Sequence, residues 1–420
     1  MEYGRKYTTE EKFREIRIAR GIPQVDLAKT IGRCEHTVIR TEKGERKFTD
    51  KELEDGRKFL GVENFPLLED ELTRFRGQLY VFRERIKEEI FDTAHKMQSS
   101  LAAIYEFPFE PELILLYKTI NARLLLKERN IDKAKEQLAY AEPFLAEVSN
   151  EVKYHYYYGM GSLNMYTKNH EDALRFYMLA LNTESQKELS LFLNLAICYA
   201  RFGMYFLAVA SLERIYPSSE HYITSSLRII IDTSLALNYT RLGHHKKALE
   251  LYLDAQVRAE FLESKTRLRQ ILHNLGCLYY KIGKHEEAIK NLDKASPCYK
   301  KKSDEYLENL YFKILCLVAT SSSQCNSEID HAITLAKDNE HYLLLFGSLS
   351  RLVKPMEKKG AVYIEDEIIP YLSDRHYYFK VMIYYEILLK FYAKNKTKTS
   401  SLKASMYNIQ TKMMREDVNI

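Results

Sequence analysis

Apolar residues recur at three- and four-residue spacing along almost the whole chain, and the breaks fall at short polar or glycine-containing stretches. That period predicts a succession of amphipathic helices. Thr8–Arg20 predicts a first helix with Phe13 and Ile16 inward and Arg17 and Arg20 outward, Thr9 as its cap, and Glu10 and Glu11 in its first turn. Gly21 stops it, and Pro23 opens a short second helix, Gln24–Thr30. Gly32 turns the chain into a third helix, Cys34–Lys43. Gly44 ends that helix, and Thr49–Leu60 forms a fourth. Asn64–Glu71, with Pro66 and several acids, reads as a hinge. One long helix comes next, over Leu72–Met97, with Phe75, Leu79, Phe82, Ile86, Ile90 and Phe91 on a single stripe. This stripe is expected to pack on the first repeat, with a dimer contact as the alternative use. Pro108 and Pro111 then break the chain.

From there the pattern repeats. In Gln270–Ala295, QILHNLGCLYYKIGKHEEAIKNLDKA, the small residues Gly276, Ala288 and Ala295 alternate with the large Leu275, Tyr279 and Leu292, and Gly283 sits between the two halves. Small residues allow two helices to cross closely, large ones fill the gaps beside them, and the glycine lets the chain reverse. Taking Ala288 as anchor, related hairpins carry Ala248, Ala208, Ala173 and Ala134, at spacings of 40, 40, 35 and 39 residues. Three of them share an aromatic residue and a glycine at matching offsets: Tyr199/Gly203, Tyr239/Gly243 and Tyr279/Gly283. The order resembles the tetratricopeptide repeat, a helix hairpin of about 34 residues that needs stacked neighbours to bury its apolar face. The longer spacing implies longer helices or loops. Beyond Ala295 the pattern fades into the pairs Tyr306–Thr320 with Glu328–Asp338, separated by the loop Ser321–Ser327, and Tyr342–Lys359 with Ile364–Leu372. A further helix, Asp374–Lys394, a polar linker, Lys394–Ser401, and a last helix, Leu402–Met414, complete the chain. The expected fold is all-α, with an N-terminal helix-turn-helix domain over 1–63, a hinge and linker helix over 64–112, a right-handed superhelical repeat array over 113–395, and a C-terminal linker and capping helix over 396–420.

Composition narrows the picture. The chain has 420 residues, 32 Tyr and no Trp, and a formal net charge of +5, which permits a nucleic-acid partner without requiring one. No apolar run reaches the length of a membrane span and the N-terminus lacks a signal-peptide core, so the reading is cytoplasmic, with no membrane partner. Six scattered cysteines, none in a Cys-x-x-Cys pair, read as buried reduced thiols. There is no glycine-rich phosphate loop, no His-Glu-x-x-His and no zinc spacing. His244-His245, beside Lys246-Lys247, reads as a solvated turn. The expectation is therefore no enzyme, no catalytic residue, no metal and no cofactor.

The first four helices resemble the helix-turn-helix of the Xre/Cro/lambda-repressor family over about Phe13–Val62. The residues that carry the likeness are Ile16-Arg17, Gly21, Gln24, Leu27-Ala28, Gly32, Thr37-Val38, Arg40 and Glu42-Lys43-Gly44. Arg33 and Thr41 stand where that family usually has apolar residues, and Cys34 replaces a usual Ser or Asn cap. Such a motif places its second helix in the major groove. Arg33, Glu35, His36, Thr37 and Arg40 would then face bases, Glu35 toward cytosine N4 and Thr37 toward a thymine methyl or a phosphate. Lys43, Arg46 and Lys47 form a basic flank for phosphates. The family resemblance adds Gln24 as a phosphate contact. Residues 1–61 hold 15 Lys/Arg against 12 Asp/Glu, so non-specific affinity should be modest and salt-sensitive. A docking module without DNA binding is the alternative.

In a tetratricopeptide array the first helix of each hairpin lines a concave face. Asn194 and Asn274 occupy the same inward position in two hairpins. A carboxamide can hold a peptide backbone through both its donor and its acceptor. Arg201, Arg241, Gln270, His273 and Lys281 lie around them, with Tyr158, Ser162 and Tyr166 from an earlier hairpin. Such a groove suits a short peptide with an acidic side chain or a free carboxylate. A helix-turn-helix followed by such an array resembles the Rap/Rgg/NprR/PlcR/PrgX group. That resemblance implies a dimeric transcription regulator, switched by a short signalling peptide in quorum sensing and bound to operator DNA with an inverted repeat. Two alternatives stay open. One is a Rap-like protein that binds or dephosphorylates a response regulator, for which Gln78 and Gln98 are the glutamines in or near the linker helix. The other is a dimeric repressor with a non-peptide partner.

Overall fold

The computed structural model describes residues 6–88, 90–183, 188–216, 225–353 and 357–415. All regular structure among them is helical, as the periodicity requires. The chain forms two compact units, Met1–Lys187 and Glu188–Ile420.

The first unit begins with α1 (Thr9–Ala19), α2 (Gln24–Thr30), α3 (Glu35–Glu42) and α4 (Asp50–Leu60). Its boundaries come from local chemistry. The cap of α1 is Thr8 rather than Thr9: the Thr8 hydroxyl accepts from the Glu11 amide while the Glu11 carboxylate accepts from the Thr8 amide. Thr49 and Glu52 repeat this capping box at α4. Cys34 stands at the cap of α3, where its Sγ meets the Thr37 hydroxyl at 3.2 Å instead of bonding a first-turn amide. Phe13, Ile16, Leu27, Val38 and Leu60 fill the small core, with Phe13 against Phe48 at 4.8 Å between ring centroids.

Three expectations fail in the next segment. The proposed hinge is packed: Phe65 and Leu67 are buried, and Phe65 meets Phe107 and Phe109 edge-on at 5.5 and 6.0 Å. The proposed single linker helix is two, α5 (Glu69–Lys87) and α6 (Phe91–Leu101), and Glu89 lies outside the described residues. The stripe of Phe75, Leu79, Phe82 and Ile86 is buried as expected, whereas Ile90 is exposed, because the break rotates it off the stripe. In α1, Arg17, expected on the outer face, is buried.

Two hairpins complete this unit, α7 (Pro111–Lys127) with α8 (Ile131–Ala141) and α9 (Asn150–Tyr166) with α10 (His170–Asn182). Phe82 stacks on Tyr117 of α7 at 6.1 Å, so α5 does pack on the first hairpin. One hydrophobic cluster runs from Phe13 through the linker helices to Leu163.

The second unit continues with hairpins Leu189–Arg201/Tyr205–Glu213, Ser225–Arg241/His245–Phe261 and Lys265–Lys281/His285–Ala295. The anchor alanines 134, 173, 208, 248 and 288 have no exposed surface. Gly203, Gly243 and Gly283 take φ of +80°, +82° and +78° at their turns. In the first two hairpins the matching residues are Arg129 and Lys168, both at φ +63°. The left-handed turn therefore survives where its glycine is missing, at a cost of roughly 1–2 kcal/mol each. Beyond these hairpins come Asp304–Ala319, Cys325–Leu335 and Glu340–Ser350. The helix predicted to reach Lys359 stops at Ser350, residues 354–356 lie outside the described residues, and its partner begins early, at Lys358, passing through a π-helical stretch Ile364–Ile368. Tyr378–Phe391 is the next helix. The stretch read as a polar linker belongs to the final helix, Lys396–Arg415, whose start is marked by the Asn395 side chain accepting from the Lys398 amide at 3.1 Å. Polarity there reflects an exposed helix rather than a loop. Cys34 and Cys298 are exposed, contrary to the expectation of six buried thiols, and the six form no disulfide.

A Cβ built at Gly276 would lie 2.5 Å from Leu292 Cγ and 3.3 Å from the Ala288 carbonyl oxygen. Gly276→Val should therefore lower stability by about 1–3 kcal/mol through overpacking, read as a fall in the urea unfolding midpoint.

Candidate functional site

The helix-turn-helix presents two sets of side chains. Arg33, Glu35, His36, Arg40, Lys43 and Lys47 are exposed, and Gln24, Thr37 and Arg46 are half-buried. What holds them is an ionic frame beneath. Arg17 forms two parallel bonds to Glu42, Nε to Oε1 at 2.6 Å and Nη2 to Oε2 at 2.8 Å, and a third to the Ile22 carbonyl at 2.7 Å. Burial of this pair is offset because the planar guanidinium matches both carboxylate oxygens and its remaining donor is also used. The Gln24 amide donates to Glu42 at 2.7 Å, so the expected phosphate contact is tethered to the frame.

Glu52 is a second node. Its carboxylate accepts from Arg33 Nε at 2.5 Å, Arg46 Nη2 at 2.8 Å and the Thr49 amide at 2.9 Å. Burial pushes its pKa up, but the bonds from Arg46, Thr49 and Arg33 outweigh it and hold the group at about 2. Thr41 is fully buried; its hydroxyl donates to the Thr37 carbonyl at 2.9 Å and accepts from Arg46. That pairing explains a polar residue in an apolar family position. Among the described residues, Arg40 pairs only with the exposed Glu45, at 3.2 Å. The Thr49-x-x-Glu52 spacing was the sequence signal for Glu52, and the Arg33 and Arg46 contacts were not legible in it.

The candidate peptide contacts divide between the two units. Tyr158, Ser162 and Tyr166 belong to the first. Tyr158 is buried beneath Arg123, whose guanidinium lies 4.3 Å from its ring centre, and Ser162 Oγ shares a 3.1 Å hydrogen bond with Tyr177. Both have packing roles there, while Tyr166 is half-buried under Arg129.

The second unit carries the remaining candidates on helices Leu189–Arg201, Ser225–Arg241 and Lys265–Lys281. Asn194 and Asn274 are half-buried, and Arg201 and Gln270 are exposed. Two cations are engaged by Tyr378–Phe391, which the sequence did not link to them. The Arg241 guanidinium lies 3.4 Å from the Phe379 ring centre, and Lys281 forms an ion pair with Glu386. One terminal nitrogen of Arg241 is buried without an acceptor among the described residues. Asn309 Nδ2 donates to the Leu292 carbonyl at 2.9 Å, so its Oδ1 accepts from His273 Nδ1–H at 3.0 Å. That assigns the other His273 nitrogen as an acceptor, 3.6 Å from Cys277 Sγ. Burial pushes the His273 pKa down, which favours the neutral ring. Lys380 bonds Glu308 at 2.8 Å beside it, joined by the Tyr342 hydroxyl at 3.0 Å. His245, expected in a solvated turn, is half-buried as the first residue of its helix.

Several known proteins share this sequence pattern or this fold. The tetratricopeptide repeat family model matches residues 225–301. The transcriptional activator NprA of Geobacillus stearothermophilus is 26% identical over 362 residues, covering 80% of this chain and 84% of that protein. The chain is thus similar to that activator over most of the length of both proteins. Among solved structures, NprR in complex with its cognate peptide NprX shares 21% identity and a TM-score of 0.62, over 81% of this chain and 99% of that one. A Rap protein complexed with competence and sporulation factor shares 15% identity and a TM-score of 0.66, over 82% and 99%. These two likenesses establish a common fold. No helix among the described residues is long and apolar enough to cross a membrane.

The ionic frame has a measurable pH signature. Because the folded pKa of Glu52 lies below its unfolded value of about 4.3, its stabilisation is present above that value and is lost as pH falls toward 2. Glu52→Gln should cost roughly 2 kcal/mol at neutral pH, seen as faster amide hydrogen exchange in α1–α4. The difference from the unsubstituted protein should shrink as pH falls from about 4.3 to 2.

Proposed function

We propose that the chain is a transcription regulator that reads operator DNA with residues 1–63 and is switched by a short peptide held in its repeat domain. The observation that carries this reading is the pairing of two features in one chain: an exposed helix with Arg33, Glu35, His36 and Arg40 on a rigid ionic frame, and a repeat array with carboxamides at one inward position. The relation to the transcriptional activator NprA, and the common fold with NprR complexed with its peptide NprX, support it.

The chemistry assigned to each part is simple. Arg40 and the exposed basic groups Lys43 and Lys47 bring positive charge to phosphates and base edges. Asn194 and Asn274 hold the peptide backbone. Arg241 and Lys281 receive a carboxylate of the peptide, Arg241 through its unfilled donor and Lys281 by exchange with Glu386. An inverted-repeat operator fits a two-fold dimer. For the peptide to act as a switch, it must bind one arrangement of the DNA-binding domains more tightly than the other. This is a binding protein in our reading, without catalytic residues.

The Rap-like alternative, action on a response regulator, rests on fold likeness. Gln98 has both ends of its amide engaged, Nε2 donating to Asn121 at 2.8 Å and Oε1 beside His95 Nδ1 at 3.3 Å, which leaves little freedom to orient a water. Gln78 is exposed on α5. Failure of the protein to speed loss of phosphate from a phosphorylated response regulator is the expected result.

The deciding experiment is a DNA-binding titration on the chain's own upstream region, with and without synthetic peptides from the C-terminus of adjacent small reading frames. A peptide-dependent change in affinity or footprint is expected. DNA binding that ignores every peptide would overturn the sensor reading. Arg40→Ala should weaken DNA binding by roughly 1–3 kcal/mol with peptide affinity unchanged. Asn274→Ala should do the opposite, lowering peptide affinity about tenfold while DNA binding without peptide persists. The reverse pattern, in anisotropy titrations with labelled DNA and labelled peptide, would refute the assignment.

A further inference from the structure

The helix His245–Phe261 differs from the other second helices of the five anchored hairpins. It has 17 residues, against 11, 13, 9 and 11 in Ile131–Ala141, His170–Asn182, Tyr205–Glu213 and His285–Ala295. Its inner face is ordinary, with Ala248, Tyr252, Ala255 and Ala259 buried. Its outer face is not. Leu253, Val257 and Phe261, spaced four apart, are 44%, 66% and 86% exposed. Residues at that spacing share one side of a helix. At the position of Leu253, counted from the anchor alanine, the preceding hairpin has Glu213 and the next one Asp293, both exposed. The apolar stripe is therefore local to this helix, and the extra turns extend it.

The charges flanking the stripe are arranged by sign. Lys246 and Lys247 stand at the N-terminal end, and Glu260 and Glu263 at the other. Lys246 and Glu263 have no ion-pair partner among the described residues, while Lys247 also reaches Glu213 and the Tyr239 hydroxyl. Glu250, one turn in from Lys246, tempers the basic end without reversing its sign. Laid antiparallel on a copy of itself, the helix brings Leu253 against Val257 at the centre and its basic end against the acidic end of the copy, about 25 Å along the axis at 1.5 Å per residue. In this register Glu250 faces Glu260 of the copy, one like-charge contact, whereas a parallel pairing would set Lys246 on Lys246 and Glu263 on Glu263 as well. Self-complementarity of this kind is what an isologous two-fold contact requires.

We propose that this face of His245–Phe261 is the surface through which two copies of the chain associate about a two-fold axis. The proposal rests on the dimeric regulator described above and locates its contact. Apolar groups exclude water at the centre, and the Lys246–Glu263 pairs across the axis fix the direction.

Sedimentation velocity of the full chain over a dilution series tests it, using Val257→Asp, Phe261→Asp, Lys246→Glu, Glu263→Lys and the double charge exchange Lys246→Glu/Glu263→Lys. The unsubstituted chain should be a dimer. Each Asp variant should raise the dissociation constant roughly tenfold or more and keep the same helical content by circular dichroism, since the substituted side chains are largely exposed. Each single charge reversal should weaken the dimer, and the double exchange should restore it. A chain that is monomeric throughout would overturn both this surface and the dimeric reading. Dimers that persist in both Asp variants would overturn this surface and leave the dimeric reading standing. Asp variants that dissociate while the double exchange fails to restore association would overturn the antiparallel arrangement.

Discussion

The close crossing of two helices at a small residue is the constraint that shapes every repeat unit. At each anchor alanine the outer helix approaches its partner with no room for a larger side chain, and Gly276 shows the tolerance from the other side, with Leu292 Cγ 2.5 Å from where a Cβ would sit. Close approach lets large side chains such as Leu292 and Tyr177 fill the flanking spaces, so packing reaches the density of a protein interior. The turn between the helices must reverse sharply for the crossing to occur. It does so through a left-handed residue, and the geometry is strong enough to impose that conformation on Arg129 and Lys168 where glycine is absent. A single hairpin leaves one apolar face open, so the crossing also dictates that hairpins stack.

The four helices at the start of the chain meet a different demand. Four short helices bury little apolar surface with which to hold α3, and charged pairs add to it. Arg17 with Glu42, and Glu52 with Arg33 and Arg46, tie α1, α3 and α4 together beneath the exposed face. Two of the candidate DNA contacts, Arg33 and Arg46, thus serve the frame as well, whereas Arg40 pairs only with an exposed carboxylate. The domain is also fastened to the segment that leads into the first hairpin. Lys12 is buried with Glu110 at 2.5 Å, Arg20 pairs with Glu106, and Phe65, Phe107 and Phe109 pack together. A segment with a proline and several acids thereby acts as a joint of fixed geometry within the first unit.

In the second unit, cations of two hairpins are met by one later helix. Arg241 and Lys281 reach from two consecutive hairpins to Phe379 and Glu386 on one later helix. Among the described residues, Glu386 is the ion-pair partner of Lys281, and one terminal nitrogen of Arg241 has no acceptor. The Lys281–Glu386 pair is partly solvated, so separating it costs little, as the proposed exchange with a peptide carboxylate requires.

Elements that depend on near neighbours could be read from the chain before any fold was known. Helical period, capping residues, turn glycines and the register of five anchor alanines are set within a few dozen residues, and they were legible down to the boundaries of Gln24–Thr30. The likeness of the first helices to a DNA-reading motif was legible for the same reason. Composition misled where it stood in for packing: Asn64–Glu71 looked like a hinge and Lys394–Ser401 like a linker, because polarity does not reveal whether Phe65 finds a pocket or whether an exposed helix continues. Which charges meet was settled only by the folded chain. Glu52 lies 19 residues from Arg33, Phe379 and Glu386 lie more than a hundred from Arg241 and Lys281, and Arg17 turns inward only because Glu42 is there to receive it. Those partners are chosen by the path of the backbone in space, and spacing along the sequence carries no record of it.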